Sequence, residues 1–495
     1  MDIARKISTP LTIARATALP AAVPPTPVPT PGPPPASEAA RFAVDGALLR
    51  AAAVAGRTVS TTLTRYVPLG KQAKTTPAGV NRPGAAAPSV EIGSAAITSN
   101  LVDRARAAGL SDFEAQKLES ILTDSKDFAA DSKLVNNLLG TQNAARALRT
   151  FNDLDVYRSQ NGDRITPEIV KTLAMGVGRS RTSASQGREG ILGNEQAINA
   201  AEALVAMPQA DYDLIQSALP KGKKFPGSQS DPQVEGALIL KSVAARKERL
   251  RDFTAWNATS MPSPAANEIA GFANTIRGRN VNDLIQRTSV MDLDGDFRDE
   301  ALQQKWNNSC VQASLQIAQA EADPIYAWQL HNDTIHNTAT TGAIADEQKA
   351  GLTAFNGMAV ARGANGGVGT DINVIESSMD GKISPVTGRA YEHKLVVGSP
   401  AGRGQALDHI ALLAKTGTDV PIGVTWSFGV GADGKIKQTS GHALVVTDVQ
   451  GSGNTQQFLI TDPWTGRTGW ISRNDIISGK TNFFAGTGML TDYWW

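Results

Sequence analysis

GHALVVTDVQGSGNTQQFLITDPW, residues 441–464, holds two apolar, β-branched runs separated by Gly451, Ser452, Gly453 and Asn454. Alternation with a period of two marks a half-buried strand, and a glycine-rich break between two such runs marks a hairpin. Centred on Ser452, that hairpin sets His442 directly opposite Asp462, on one face with Leu444, Val446, Phe458 and Ile460. Opposed Cβ atoms in an antiparallel pair stand ~4.5–5.5 Å apart, close enough for a carboxylate to accept the proton of one imidazole nitrogen. Asp448 competes for that role from the far end of the same strand as His442, and Asp462-Pro463 is also what a plain turn would show.

Upstream, QQKWNNSCVQASLQIAQAEADP (residues 303–324) contains the only cysteine of the chain. One thiol excludes an intramolecular disulfide framework and a zinc site built from several thiolates. A lone cysteine is most often a small buried hydrophobe, but the position of this one argues for chemistry. Ser309 and Gln312 stand in capping-box relation, so Cys310 is expected to be the first residue of a helix. There, unpaired N–H groups and the positive end of the macrodipole favour thiolate over thiol. Gln304, six residues ahead of Cys310, could aim its amide at the same oxyanion as the Cys310 N–H; Gln303 is the alternative, and both are also ordinary loop residues. His331, His336, His393 and His409 read as ordinary polar residues.

The 495 residues divide into three parts. Residues 1–96 are a Pro-, Ala- and Thr-rich tail without apolar periodicity, save one short helix at 37–55. Residues 97–253 carry helical spacing, with start signals at Ser111/Glu114, Thr166-Pro167 and Asp231-Pro232. Residues 254–495 pass from helical texture to β-branched runs beginning near Leu395, so the fold class is α+β. The acidic stretch at 152–168 has the wrong spacing for a calcium loop and reads as a helix–helix turn, and Asp292, Asp294 and Asp296 read as a solvated turn. With 48 basic and 47 acidic residues the chain has no one-signed field to draw nucleic acid. No window is long and apolar enough for an integral membrane segment, and Arg15 and Pro20 break the start before it becomes a signal-peptide core. No motif implies a metal or an organic cofactor.

In these features the chain resembles the papain-like cysteine peptidases, and among them the bacteriocin-processing peptidase-like branch. The resemblance runs from about residue 303 to the C-terminus: Gln304 ahead of Cys310 at a helix start, Gly441-His442 leading a β-branched strand, and ITDPWTGRTGWIS after the next one. It implies a nucleophile helix packed on an antiparallel sheet, with Gln304 as oxyanion donor, Cys310 as nucleophile, His442 as general base and acid, and Asp462 as orienter. Val311 departs from that branch, which has Gly after the cysteine. The implied activity is cleavage of a protein substrate; a glutamine deamidase or transglutaminase would use the same triad, and a non-catalytic binding protein could keep the fold. The tail, helical middle and terminal hydrolase are similar in arrangement to secreted bacterial effectors passed by a needle-type (type III-like) machine. That analogy implies export into a host cell without a cleavable signal peptide and a host protein as partner, whereas a cytoplasmic protein could carry the same tail.

Overall fold

Apolar residues at three- and four-residue spacing build eleven helices among the described residues, from Ser89–Ala107 to Val281–Arg287. The computed structural model describes residues 89–181, 190–222, 230–251, 261–293, 300–362, 364, 369–370, 372–430, 436–480 and 487–495. The helix expected at 37–55 and residues Asp294 and Asp296 lie outside these. Local signals start the helices where expected. Ser111 and Glu114 close both halves of a capping box, while Thr166 and Asp231 cap helices that open on Pro167 and Pro232. The apolar faces meet in one core that includes Leu118, Leu138, Leu148, Phe151, Leu173 and Ile239, each buried side chain stabilising by roughly 1.5–3 kcal/mol. This bundle starts before residue 97 and runs past residue 253, where the sequence reading sets its boundaries. Of the stretch 152–168 expected as a helix–helix turn, only residues 161–166 make the turn; Asp153 and Asp155 belong to helix Ala144–Gln160 and pair with Lys117 and Arg158. Asp292 is a correction: it is buried, its backbone N–H donating to Thr468 Oγ1 at 3.2 Å, because the segment runs against the sheet instead of out into solvent.

The second half holds one antiparallel sheet of six strands: β1 His393–Leu395, β2 Val420–Val430, β3 Ile436–Gln450, β4 Gln457–Asp462, β5 Arg467–Ser472 and β6 Thr487–Trp494. Their order is β1-β6-β2-β3-β4-β5, and the α+β class is as expected. Helix Pro400–Lys415 interrupts the β-rich region and covers one face through Leu407, Ile410, Leu444, Val446, Phe458 and Ile460. Helix Cys310–Ala322 covers the other, joining Ala313, Leu315 and Ile317 to Ala443, Val445 and Trp494. Successive β3 residues thus serve opposite cores, as a strand between two layers requires. The C-terminal Tyr493 and Trp494 are buried within β6, beside β2. No described helix is long and apolar enough to cross a membrane.

Candidate active site

The β3–β4 hairpin is wider than the four-residue turn that the glycines signal. Gln450 pairs with Gln457, and residues 451–456 make the connection through a 3-10 turn. Gly451 (φ +71°) and Gly453 (φ +53°) take the left-handed conformations it needs. Towards the other end, Val446 pairs with Ile460 and Val445 with Thr461, with a bulge at Thr447 between the two registers. Asp462 therefore comes opposite Leu444, two residues from the directly opposed partner, His442, that a centre at Ser452 implies. A slip of two leaves the face unchanged, and diagonal neighbours remain within reach of a long side chain. His442 Nε2 lies 2.8 Å from Asp462 Oδ1, and both side chains are almost fully buried.

Cys310 is the first residue of its helix, as the sequence reading expects, but the capping box is not formed. Ser309 has φ −94° and ψ 22°, outside the extended region from which a side chain reaches back to the helix N–H groups. Its hydroxyl instead donates to Gln348 Oε1 (2.8 Å), and Gln312 turns to Thr370 Oγ1 (3.2 Å). Ser309 thus takes none of the leading N–H groups, and that of Val311 bonds the Cys310 sulfur, as does the N–H of Ala443. Sulfur and the His442 ring are hydrogen bonded to each other; with Nε2 on Asp462, Nδ1 is the nitrogen left to face the thiol. Burial opposes ionisation of Cys310, but the His442 bond and charge, with the two N–H groups, hold the thiol below its ordinary value. Burial likewise opposes charge on His442, yet Asp462 and then Cys310 carry it up to about 10. The arrangement favours a thiolate–imidazolium pair near neutral pH.

The Asp462 carboxylate is itself oriented, since Oδ1 also accepts the Trp464 N–H at 2.8 Å, and the Gly466 N–H closes the turn on Asp462 O at 2.8 Å. Gln304 is buried, and its N–H donates to Pro463 O (2.7 Å), joining the loop before Cys310 to the loop after Asp462. Its side-chain Nε2 donates to Trp306 O (2.9 Å) and, at the longer distance of 3.4 Å, to Asn307 O. Gln303 Nε2 donates to Thr465 O, so it supports the turn after Asp462.

Two residues of the site carry no sequence signal. Arg362, in a Gly- and Ala-rich stretch without a motif, donates to Gln304 O (3.2 Å) and Trp464 O (2.9 Å) and stacks 4.1 Å over the Trp464 ring. Burial holds its guanidinium below the usual value despite the nearby Asp462 charge. Gln348, fully buried, accepts from both Lys305 N–H and Ser309 Oγ (2.8 Å each) and fixes the turn that presents Cys310. The other histidines are engaged elsewhere: His331 on Ser289 O, His336 on Ala301, His393 on Asp492 and His409 on Tyr493. Among the described residues no group of three or more His, Cys, Asp and Glu side chains could hold a metal ion. In comparisons with protein families, curated proteins and solved structures, nothing matches this chain.

Proposed function

We propose that the second half of the chain is a papain-like cysteine hydrolase that cleaves an amide bond of a protein substrate. The observation that carries this reading is a buried His442 bonded on one side to Asp462 (2.8 Å) and on the other to a thiol at a helix N-terminus. The Cys310 thiolate attacks the carbonyl carbon, and the carbonyl π electrons move onto oxygen, which faces the leading N–H groups of the helix. Gln304 joins them by exchanging its longer bond, to Asn307 O, for the oxyanion. Imidazolium then protonates the departing amine as the tetrahedral intermediate collapses to a thioester. Water, deprotonated by His442, attacks the thioester and expels the thiolate, releasing the acid. Burial of the Asp462–His442 pair keeps water from competing for the ring nitrogen that Asp462 holds. Delivery into a host cell as an effector rests on the sequence resemblance alone.

The test is alkylation of Cys310 by iodoacetamide across pH, in the parent and in His442→Ala. The chain has one cysteine, so the modified residue is unambiguous. A thiol reactive well below its ordinary pKa of ~8.5, and dependent on His442, supports the reading; a thiol inert until the protein unfolds would falsify it. With the pair established, release of new N-termini from unfolded protein chains marks a protease, and ammonia without new N-termini marks the deamidase that shares this chemistry.

A further inference from the structure

Three arginines of the helical bundle end on buried carboxylates of the hydrolase half. Arg181 meets Glu321 and Arg246 meets Asp323, both at the end of helix Cys310–Ala322 remote from the thiol. Arg146 instead reaches β3, where its Nη2 lies 3.0 Å from Asp448 Oδ1. Asp448 is fully buried, and the same oxygen accepts the N–H of Val449 at 2.7 Å, so the carboxylate folds back on its own strand just beyond Thr447. That is the place where the β3–β4 ladder changes register.

The change of register decides which side chains meet. On the loop side Gln450 pairs with Gln457, Val449 with Phe458 and Asp448 with Leu459. Carried straight on, that pairing would set Asp462 opposite Val445, on the face opposite to His442, because neighbouring residues of a strand point to opposite sides. The extra residue at the bulge moves the pairing by one and returns Asp462 to the face of His442. The hairpin loop and the catalytic pair thus demand different registers, and the mismatch is absorbed at Thr447.

We propose that Arg146 is a positioning residue for the catalytic pair: by holding Asp448 it pins the bulge at Thr447, so that the helical bundle determines the face on which Asp462 meets His442. This rests on the cysteine-hydrolase reading above. It gives the bundle a role in assembling the site, and anything that draws Arg146 away from Asp448 acts on Cys310 through the sheet.

The experiment measures the pH dependence of Cys310 alkylation by iodoacetamide in full-length parent, Arg146→Gln, a deletion of Thr447, and the two combined, with thermal melting of each. In Arg146→Gln, alkylation near pH 6 falls about tenfold or more while melting stays cooperative, because the thiol loses an oriented base. Deleting Thr447 makes the ladder regular and satisfies both registers at once, so that variant keeps the parent's profile and Arg146→Gln has no further effect in it. A parent-like profile in Arg146→Gln, an effect of equal size in the deletion background, or a deletion variant without reactivity at low pH would each overturn the proposal. So would an Arg146→Gln chain that no longer melts cooperatively, since Arg146 would then hold the fold and not the register. If the parent itself shows no His442-dependent reactivity, the hydrolase reading falls, and this inference with it.

Discussion

Replacing Asp462 by Asn removes the charge that holds His442 while keeping the volume and one acceptor oxygen for the Trp464 N–H. His442 stands at about 10 against an ordinary 6.5, which corresponds to roughly 5 kcal/mol of net preference for the imidazolium. Burial works against that preference, Asp462 supplies the larger part of what offsets it, and Cys310 supplies the rest. Losing Asp462 therefore costs the pair at least about 2 kcal/mol, roughly a 30-fold change in its ionisation. The two side chains are 3% and 0% exposed, so solvent does little to screen the effect. The assay is the rate of Cys310 alkylation by iodoacetamide between about pH 5 and pH 9, read by mass spectrometry of the single cysteine-containing peptide, with circular dichroism to show that Asp462→Asn is folded. The expected result is a fall of roughly 30-fold near pH 6 and convergence with the parent above pH 9, where an ordinary thiol ionises unaided. A folded Asp462→Asn protein with the parent's profile would refute the reasoning, because His442 would then owe its charge to some other group.

The raised His442 value also makes stability depend on pH. A group whose folded value lies above its unfolded one contributes fully below the unfolded value, here 6.5, and loses that contribution as pH rises through about 10. Urea unfolding of the parent and His442→Gln should differ most at pH 6 and least at pH 10; a difference that stays constant over that span would contradict the ionised pair. Gln348→Leu leaves the buried Lys305 N–H without its acceptor and the Ser309 hydroxyl with its longer contact alone, Trp306 O at 3.2 Å, and a loss of roughly 1–3 kcal/mol is expected in chemical denaturation; a loss under about 0.5 kcal/mol would mean that another group takes up the Lys305 N–H. Gly466 has φ +70°, and a Cβ there would lie 2.5 Å from Gln303 Cγ and 2.8 Å from Ala301 O. Gly466→Ala should lower stability by about 1–3 kcal/mol and slow alkylation through displacement of Asp462, and unchanged values of both would show that the turn yields freely.

Residue order and local pattern made a good part of the site legible. Apolar spacing beyond Ser309 makes a helix that begins on Cys310, and alternation in 441–450 and 456–462 makes strands that carry His442 and Asp462 on one face. Alternation, however, records only odd from even. It specifies the face on which a residue sits and is blind to a slip of two, so the register that pairs Val445 with Thr461, and so brings Asp462 opposite Leu444 in place of His442, could not be read from it. The capping box failed for a related reason: Ser309 and Gln312 each found a partner from outside the local segment, Gln348 and Thr370, and a local motif competes with every group that packing brings near. Arg362 and Arg146 lie 52 residues beyond Cys310 and 302 residues before Asp448, respectively, and carry no local signature. By itself, then, the sequence determined which side chains could do chemistry, where the Cys310 helix begins and which strand faces are apolar, because those follow from local backbone preference and the periodicity of burial. Register, bulge and the arginine contacts were decided only by the tertiary structure, because each depends on how distant segments close and pack against one another.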